Sequence, residues 1–270
     1  MQNEFAPKFP RDQVTGWILF PRDTSERKSM FFPEEVRSHP AKMNFHLQQA
    51  CIDYVASEGE TILDPFGGTG TLMIAAPQGI NVILLEIEEG YHNLQQRAVD
   101  NLRQTDPESA DRIFLLHGDN RLLLPITCHH IITSPPYASM LHQRTIRKGS
   151  EDDEFVKMDK QINTYSKDMR NIGALNNFMY NQAMERVYTL CYQSILPGGT
   201  LTIILKDRIE GQKRVSLTGW AERVSLRQGF TKVLHEKWKT PGIQFTQINK
   251  MHGLDVVEDE SIMVFQKGLE

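Results

Sequence analysis

The chain has 270 residues, a net charge of −4, 40% hydrophobic and 24% charged residues. Such values are ordinary for a soluble globular chain with room for one large α/β domain. They exclude a chain-wide basic field, so any nucleic-acid contact has to come from a local patch. Cys51, Cys128 and Cys191 lie far apart and make neither a C-x-x-C pair nor a zinc spacing. Buried thiols and a reducing compartment are expected. No signal peptide and no apolar run of about eighteen residues is read, which predicts a cytoplasmic protein with no membrane partner.

Residues 1–38 show weak periodicity, broken by Pro7, Pro10, Pro21 and Pro33, with scattered aromatic residues (Phe5, Trp17, Phe20, Phe31, Phe32). They read as an arm wrapped on a domain spanning 39–270. Arg22-Asp23 and Glu26-Arg27-Lys28 read as a solvated surface. Asn44 is a good N-cap, and Leu47, Ala50, Cys51, Tyr54 and Val55 follow at helical spacing. Thr61-Ile62-Leu63 is a short buried strand that runs into Asp64-Pro65-Phe66-Gly67-Gly68-Thr69-Gly70. Glycines between a strand and a helix let the backbone turn sharply and approach a ligand. A helix over 71–76 is expected, cut short by Pro77 and Gly79.

Asn81 to Leu85 is the second strand and ends at Glu86. A carboxylate at that place suits a ribose diol in a doubly wound fold. Tyr91, Leu94, Ala98 and Leu102 mark a helix, and Ile113 to Leu116 a third strand before Gly118-Asp119-Asn120. Ile131-Ile132-Thr133 is the fourth strand. It is stopped by Ser134-Pro135-Pro136-Tyr137, because neither proline has an N–H to continue the ladder. Residues 138–176 are polar, with a basic piece (His142, Arg144, Arg147, Lys148) and an acidic one (Glu151 to Glu154). A loop of that length is a candidate substrate-recognition element. Asn177 to Ile195 reads as a helix, Leu196-Pro197-Gly198-Gly199 as a turn and Leu201 to Leu205 as a fifth strand. A helix around Trp220 and Val224 should end at Gly229. Phe230 to Trp238 and Ser261 to Gln266 suit a hairpin-like pair. Alternation of strands and helices predicts a parallel sheet with helices on both faces.

Three carboxylates, Asp64, Glu86 and Asp119, therefore stand at the carboxyl ends of successive strands, where ligands bind in open sheets. The glycine turn is not a phosphate loop: it lacks the lysine and Ser/Thr of a P-loop, and its spacing is not G-x-G-x-x-G. An aspartate there would repel a pyrophosphate. A nucleoside cofactor with an ammonium group and no phosphate fits better, which is S-adenosylmethionine. Asp64 would meet its amine, Glu86 its ribose and Asp119 its adenine amino group. His129 and His130 are adjacent in a strand and point to opposite faces, so no metal site is read.

DPFGGTG together with SPPY resembles the S-adenosylmethionine-dependent DNA amino-methyltransferases, which act on cytosine N4 or adenine N6. His39-Pro40-Ala41-Lys42, Glu86 and Leu196-Pro197-Gly198-Gly199 are similar to further segments of that family. The resemblance implies an α/β, Rossmann-like, doubly wound and mostly parallel seven-stranded sheet of the class I methyltransferase type. It implies cofactor binding by Lys42, Asp64, Pro65, Phe66, Gly67, Gly68, Gly70, Glu86, Ile87, Asp119 and Asn120. It implies catalysis by Ser134, Pro135, Pro136 and Tyr137 on a base flipped out of duplex DNA, with Arg144, Arg147 and Lys148 against phosphates and no metal. Serine at the head of SPPY leans toward cytosine in that family. An RNA amino-methyltransferase and a non-catalytic binding module are the alternatives. The cofactor motif precedes the catalytic one, as in a permuted class, and no large target-recognition domain is present.

Overall fold

The computed structural model describes residues 4–38, 42–138, 170–210, 213–241 and 255–269. Arg144, Arg147 and Lys148 lie outside the described residues, as do 39–41 of the segment before the first long helix.

Seven strands make the main sheet: β1 (Thr61–Asp64), β2 (Asn81–Glu86), β3 (Ile113–His117), β4 (Cys128–Thr133), β5 (Ile195–Leu205), β8 (Thr231–Lys239) and β9 (Asp259–Gln266). Their order is β3-β2-β1-β4-β5-β9-β8. The pairs β1–β2, β2–β3, β1–β4 and β4–β5 are parallel. Strand β9 runs antiparallel to both β5 and β8, as the expected C-terminal pair requires. The fold is the expected Rossmann-like, doubly wound and mostly parallel seven-stranded sheet. The central strands are buried on both faces, so β4 and β5 read as apolar runs instead of alternating ones. The chain leaves β1 toward β2 and β3, then returns past β1 to lay down β4. This reversal opens a crevice at the carboxyl ends of β1 and β4.

Helices α3 (Phe45–Val55) and α4 (Glu89–Thr105) are joined by the short α5 (Pro107–Ala110) and α6 (Asn120–Leu123) and by α7 (Asn177–Ser194) and α8 (Leu217–Arg227). Asn44 caps α3, its side-chain oxygen accepting from Leu47 N at 3.1 Å. One apolar cluster holds Leu47, Cys51, Leu72, Leu94 and Ala98; another holds Met184, Val187, Tyr188, Cys191 and Val224. All three cysteines are buried and unpaired.

Three local expectations are corrected. The segment after the glycine turn is a 3-10 helix, Thr71–Gln78, that carries Pro77 inside it. A 3-10 ladder of so few bonds loses little to one missing N–H. Leu196 to Gly199 is not a turn before β5 but part of it, with a register shift opposite Cys128/His130. Gly199 is required there by close approach, since a Cβ would lie 2.0 Å from the carbonyl oxygen of His129. A small hairpin, β6 (Arg208–Glu210) and β7 (Lys213–Val215), follows β5 in a stretch where no strand is expected.

Residues 4–38 contribute to the core. Phe5, Ile18, Phe20 and Phe32 are buried with helix α3, and two short helices, α1 (Thr24–Lys28) and α2 (Glu34–Ser38), lie here. Ile18 pairs with the edge strand β8: its N–H donates to Lys237 O at 2.9 Å and its carbonyl accepts from Lys239 N at 2.9 Å. Ion pairs Arg11–Glu236 and Lys239–Asp12, both 2.8 Å, flank that pairing. The expected solvated surface holds for Arg22 and Lys28, which are exposed, but not for Arg27, which is 1% exposed, nor for Asp23, which is buried beside it. Arg27 donates to Asp23 at 2.6 Å and to the carbonyl of Met43. The i,i+4 spacing of the two charges was the available signal.

Candidate active site

The carboxyl ends of β1, β2 and β4 and the loop after β3 open into one cavity of about 560 Å³. It is lined by Lys42, Asp64, Pro65, Phe66, Gly67, Gly68, Glu86, Ile87, Asp119, Asn120, Ser134, Pro135, Pro136 and Tyr137, so the structure brings the expected cofactor and catalytic residues together. Gly70 is not part of the wall. It begins the 3-10 helix at φ +78, with Met73 and Gln95 beneath it, so its contribution is the left-handed turn.

Asp64 closes β1 against β4. Its Oδ1 accepts from Phe66 N at 2.9 Å and from the Thr133 hydroxyl at 2.7 Å. Glu86 is buried; its Oε2 accepts from Gly68 N at 2.7 Å and its Oε1 from Glu88 N at 2.8 Å. The carboxylate of Glu86 therefore shapes the glycine turn, and Gln95 Nε2 holds the same turn from α4 through Gly68 O at 2.8 Å. Burial pushes the Asp64 carboxyl up to about 6 and the Glu86 carboxyl up to about 7, against the pull of these donors. Among the described residues no cation pulls on either carboxyl. Glu86, buried, and Asp64, half-buried, are served only by neutral donors among the described residues and form a site that favours a positively charged occupant.

Asp119 differs. Burial would raise its carboxyl, but Arg121 outweighs it and holds it below the ordinary value. Arg121 bonds both oxygens, Nε at 2.9 and 3.2 Å and Nη2 at 2.7 Å. Asp119 also caps α6 through Arg121 N at 2.9 Å. Its carboxylate is thus committed to a guanidinium, a partner that the sequence reading did not name. Asn120 turns inward and donates to Pro65 O at 2.8 Å.

The proline turn is braced from outside its own motif. The Tyr180 hydroxyl on α7 donates to Pro136 O at 2.7 Å. The Tyr137 hydroxyl accepts from Lys206 N, just past β5, at 3.3 Å, and burial pushes its phenol up. Ser134 and Pro135 face the cavity beside Asp64 and Thr133.

Several wall residues were not foreseen. Asp23 and Gln48 come from the arm and α3; Glu88 and Tyr91 from the start of α4; Asn171 and Ile172 from the chain that leads into α7. Asn171 Nδ2 donates to Glu88 Oε1 at 2.5 Å. Trp238, Thr240 and Glu260 close the end near Tyr137. Trp238 Nε1 donates to Glu260 Oε2 at 2.8 Å, and Lys206 Nζ donates to Thr240 at 3.0 Å. These residues sit on strands and loops whose only sequence signal is apolar alternation, so nothing local marks them.

The family profile described as DNA methylase, of the N6/N4 class, matches residues 4–97, about a third of the chain. No curated protein matches the sequence. Among solved structures, TrmN from Thermus thermophilus is 16% identical with a TM-score of 0.50, over 83% of this chain and 49% of that one. A methyltransferase from Pyrococcus furiosus is 13% identical with a TM-score of 0.51, over 85% and 87%. The [4+2]-cyclase SpnF is 12% identical with a TM-score of 0.55, over 88% and 87%. The chain spans about half the length of TrmN. These likenesses establish the fold. That a cyclase shares it shows why chemistry has to be argued from the site.

Proposed function

We propose that the protein transfers a methyl group from S-adenosylmethionine to an exocyclic amino group of a base in DNA, cytosine N4 favoured over adenine N6. The observation that carries this reading is the pair of carboxyls, half-buried Asp64 and buried Glu86, which have no cation partner among the described residues and share one cavity with the SPPY turn. The residues fit the cofactor by charge and by donor chemistry. Asp64 suits its ammonium, Glu86 its ribose hydroxyls, and the backbone of Pro65 to Gly68 gives close approach. Lys42, Ile87 and Asn120 complete the wall, with Asp119 acting alongside Arg121. The DNA methylase profile over residues 4–97 supports the substrate class.

When bound, S-adenosylmethionine supplies a methyl group made electrophilic by a sulfonium. The chain's own residues do the rest. An exocyclic amine is a weak nucleophile because its lone pair is shared with the ring. Ser134 Oγ and the Pro135 carbonyl accept from its two N–H groups and localise that pair. The double proline keeps both acceptors fixed, so the amine arrives oriented. Tyr137 packs on the base, worth roughly 1–3 kcal/mol by comparison with other base–aromatic contacts. The base has to leave the duplex to enter the cavity. The chain over 138–176 recognises the substrate, with Arg144, Arg147 and Lys148 against the phosphates. The domain of residues 39–270 does this work with the arm of 1–38 as part of its wall, in the cytoplasm.

Transfer of labelled methyl groups to unmodified duplex DNA tests the proposal, and digestion of the product identifies N4-methylcytosine or N6-methyladenine. Transfer to RNA alone refutes the DNA assignment, and absence of cofactor binding refutes the enzyme assignment.

A further inference from the structure

Arg208 lies outside every motif named above, yet its guanidinium grips the backbone where the SPPY turn ends. Its Nη1 donates to the carbonyl of Ala138, the residue after Tyr137, at 3.1 Å. Its Nη2 donates to Asn177 Oδ1, at the start of α7, at 2.9 Å and pairs with Glu210 at 2.7 Å. Ala138 is 3% exposed, so its carbonyl is withdrawn from most solvent.

The platform that carries Arg208 is itself braced. The preceding residue, Asp207, is buried and accepts from Thr218 N at 3.0 Å, Thr218 Oγ1 at 2.8 Å and Arg214 Nε at 2.9 Å. Arg214 reaches on to the buried Asp259, which also takes Lys237 Nζ at 2.6 Å. Hairpin β6–β7 is thus pinned to the sheet on one side while Arg208 holds the turn on the other.

We infer that Arg208 is a positioning residue for methyl transfer, holding the carbonyl after Tyr137 and so fixing the aromatic ring and the Pro135 acceptor against the cofactor end of the cavity. This rests on the proposed function. With Tyr180 on Pro136 and Lys206 N on Tyr137, the turn is held at three successive residues, from α7, from the residue after β5 and from β6. A lysine cannot replace the guanidinium here. Ala138 O is met by Nη1 while Glu210 and Asn177 are met by Nη2, so two nitrogens fixed in one plane hold the turn and the hairpin together, and a single ammonium has no such fork.

The test measures single-turnover methyl transfer, S-adenosylmethionine affinity and thermal stability for wild type, Arg208→Ala, Arg208→Lys and Asn177→Ala. Loss of the clamp should lower the transfer rate of Arg208→Ala by roughly 10²-fold, with cofactor affinity within about twofold of wild type. Arg208→Lys should stay impaired. Asn177→Ala, which keeps the Ala138 contact, should stay within about threefold. Added guanidinium should restore part of the Arg208→Ala rate. A transfer rate in Arg208→Ala within twofold of wild type overturns the inference. So does a loss that tracks cofactor affinity and melting temperature and is not rescued by guanidinium. Failure of the functional reading shows in the wild type, as no transfer to any nucleic acid; failure of this inference shows only in the variants.

Discussion

Replacing Asp64 by asparagine should move stability and binding in opposite directions. The carboxyl is raised from near 3.8 to about 6, chiefly by burial. A raised carboxyl means that the ionised form is disfavoured in the folded state. The penalty is absent below the unfolded value, grows as pH rises, and is complete above the folded value. Two units correspond to about 3 kcal/mol of lost stability in the unliganded protein near pH 8. Asparagine keeps the Oδ1 acceptor for Phe66 N and the Thr133 hydroxyl but carries no charge. Asp64→Asn should therefore melt up to roughly 5–10 °C higher near pH 8. The gain should shrink to about 1 kcal/mol near pH 4.5, where the wild-type group is largely protonated in the folded state. Cofactor affinity should fall roughly 10- to 100-fold through loss of a charge-assisted contact. Melting curves at both pH values, with calorimetric titration of S-adenosylmethionine, check this. A variant that loses stability equally at both pH values and binds cofactor as wild type does would refute the reasoning.

Ser134→Ala and Tyr137→Ala should each abolish methyl transfer while leaving cofactor affinity within about twofold, measured by transfer assay and titration; full activity in either removes the role given to the turn. Arg27→Met leaves Asp23 buried without its partner and should cost about 3–5 kcal/mol in urea unfolding. Adding Asp23→Asn to it should recover part of that loss. Gly199→Ala forces a methyl group onto the His129 carbonyl at 2.0 Å and should cost about 3 kcal/mol or more, read as a lowered unfolding midpoint.

The parallel half of the sheet was legible because β1, β2 and β4 are short apolar runs, each ended by a carboxylate or by prolines. Asp64, Glu86 and the SPPY turn could be found for the same reason: strand ends mark themselves. Arg27 and Asp23 were misread because charge alone does not distinguish a solvated surface from a buried pair, and their packing against Met43 and Phe45 is tertiary. Arg121 was missed although it lies two residues from Asp119, because which side chain turns back onto a carboxylate depends on the backbone path. Trp238 and Glu260 reach the cavity only through the antiparallel register of β8 and β9, which no local pattern carries.

The pairing of Ile18 with β8 also bears on how copies of this chain meet. An open sheet exposes a row of backbone donors and acceptors at each margin, and such a row is a template for another strand. At the β8 margin, Ile18 takes the carbonyl of Lys237 and the N–H of Lys239, and flanking ion pairs crowd the approach. The opposite margin is β3, where Phe114 is 52% exposed. Strand addition is thus obstructed at the Lys237–Lys239 end of β8, the end that carries Trp238, while Phe114 leaves an apolar side chain exposed at the β3 margin.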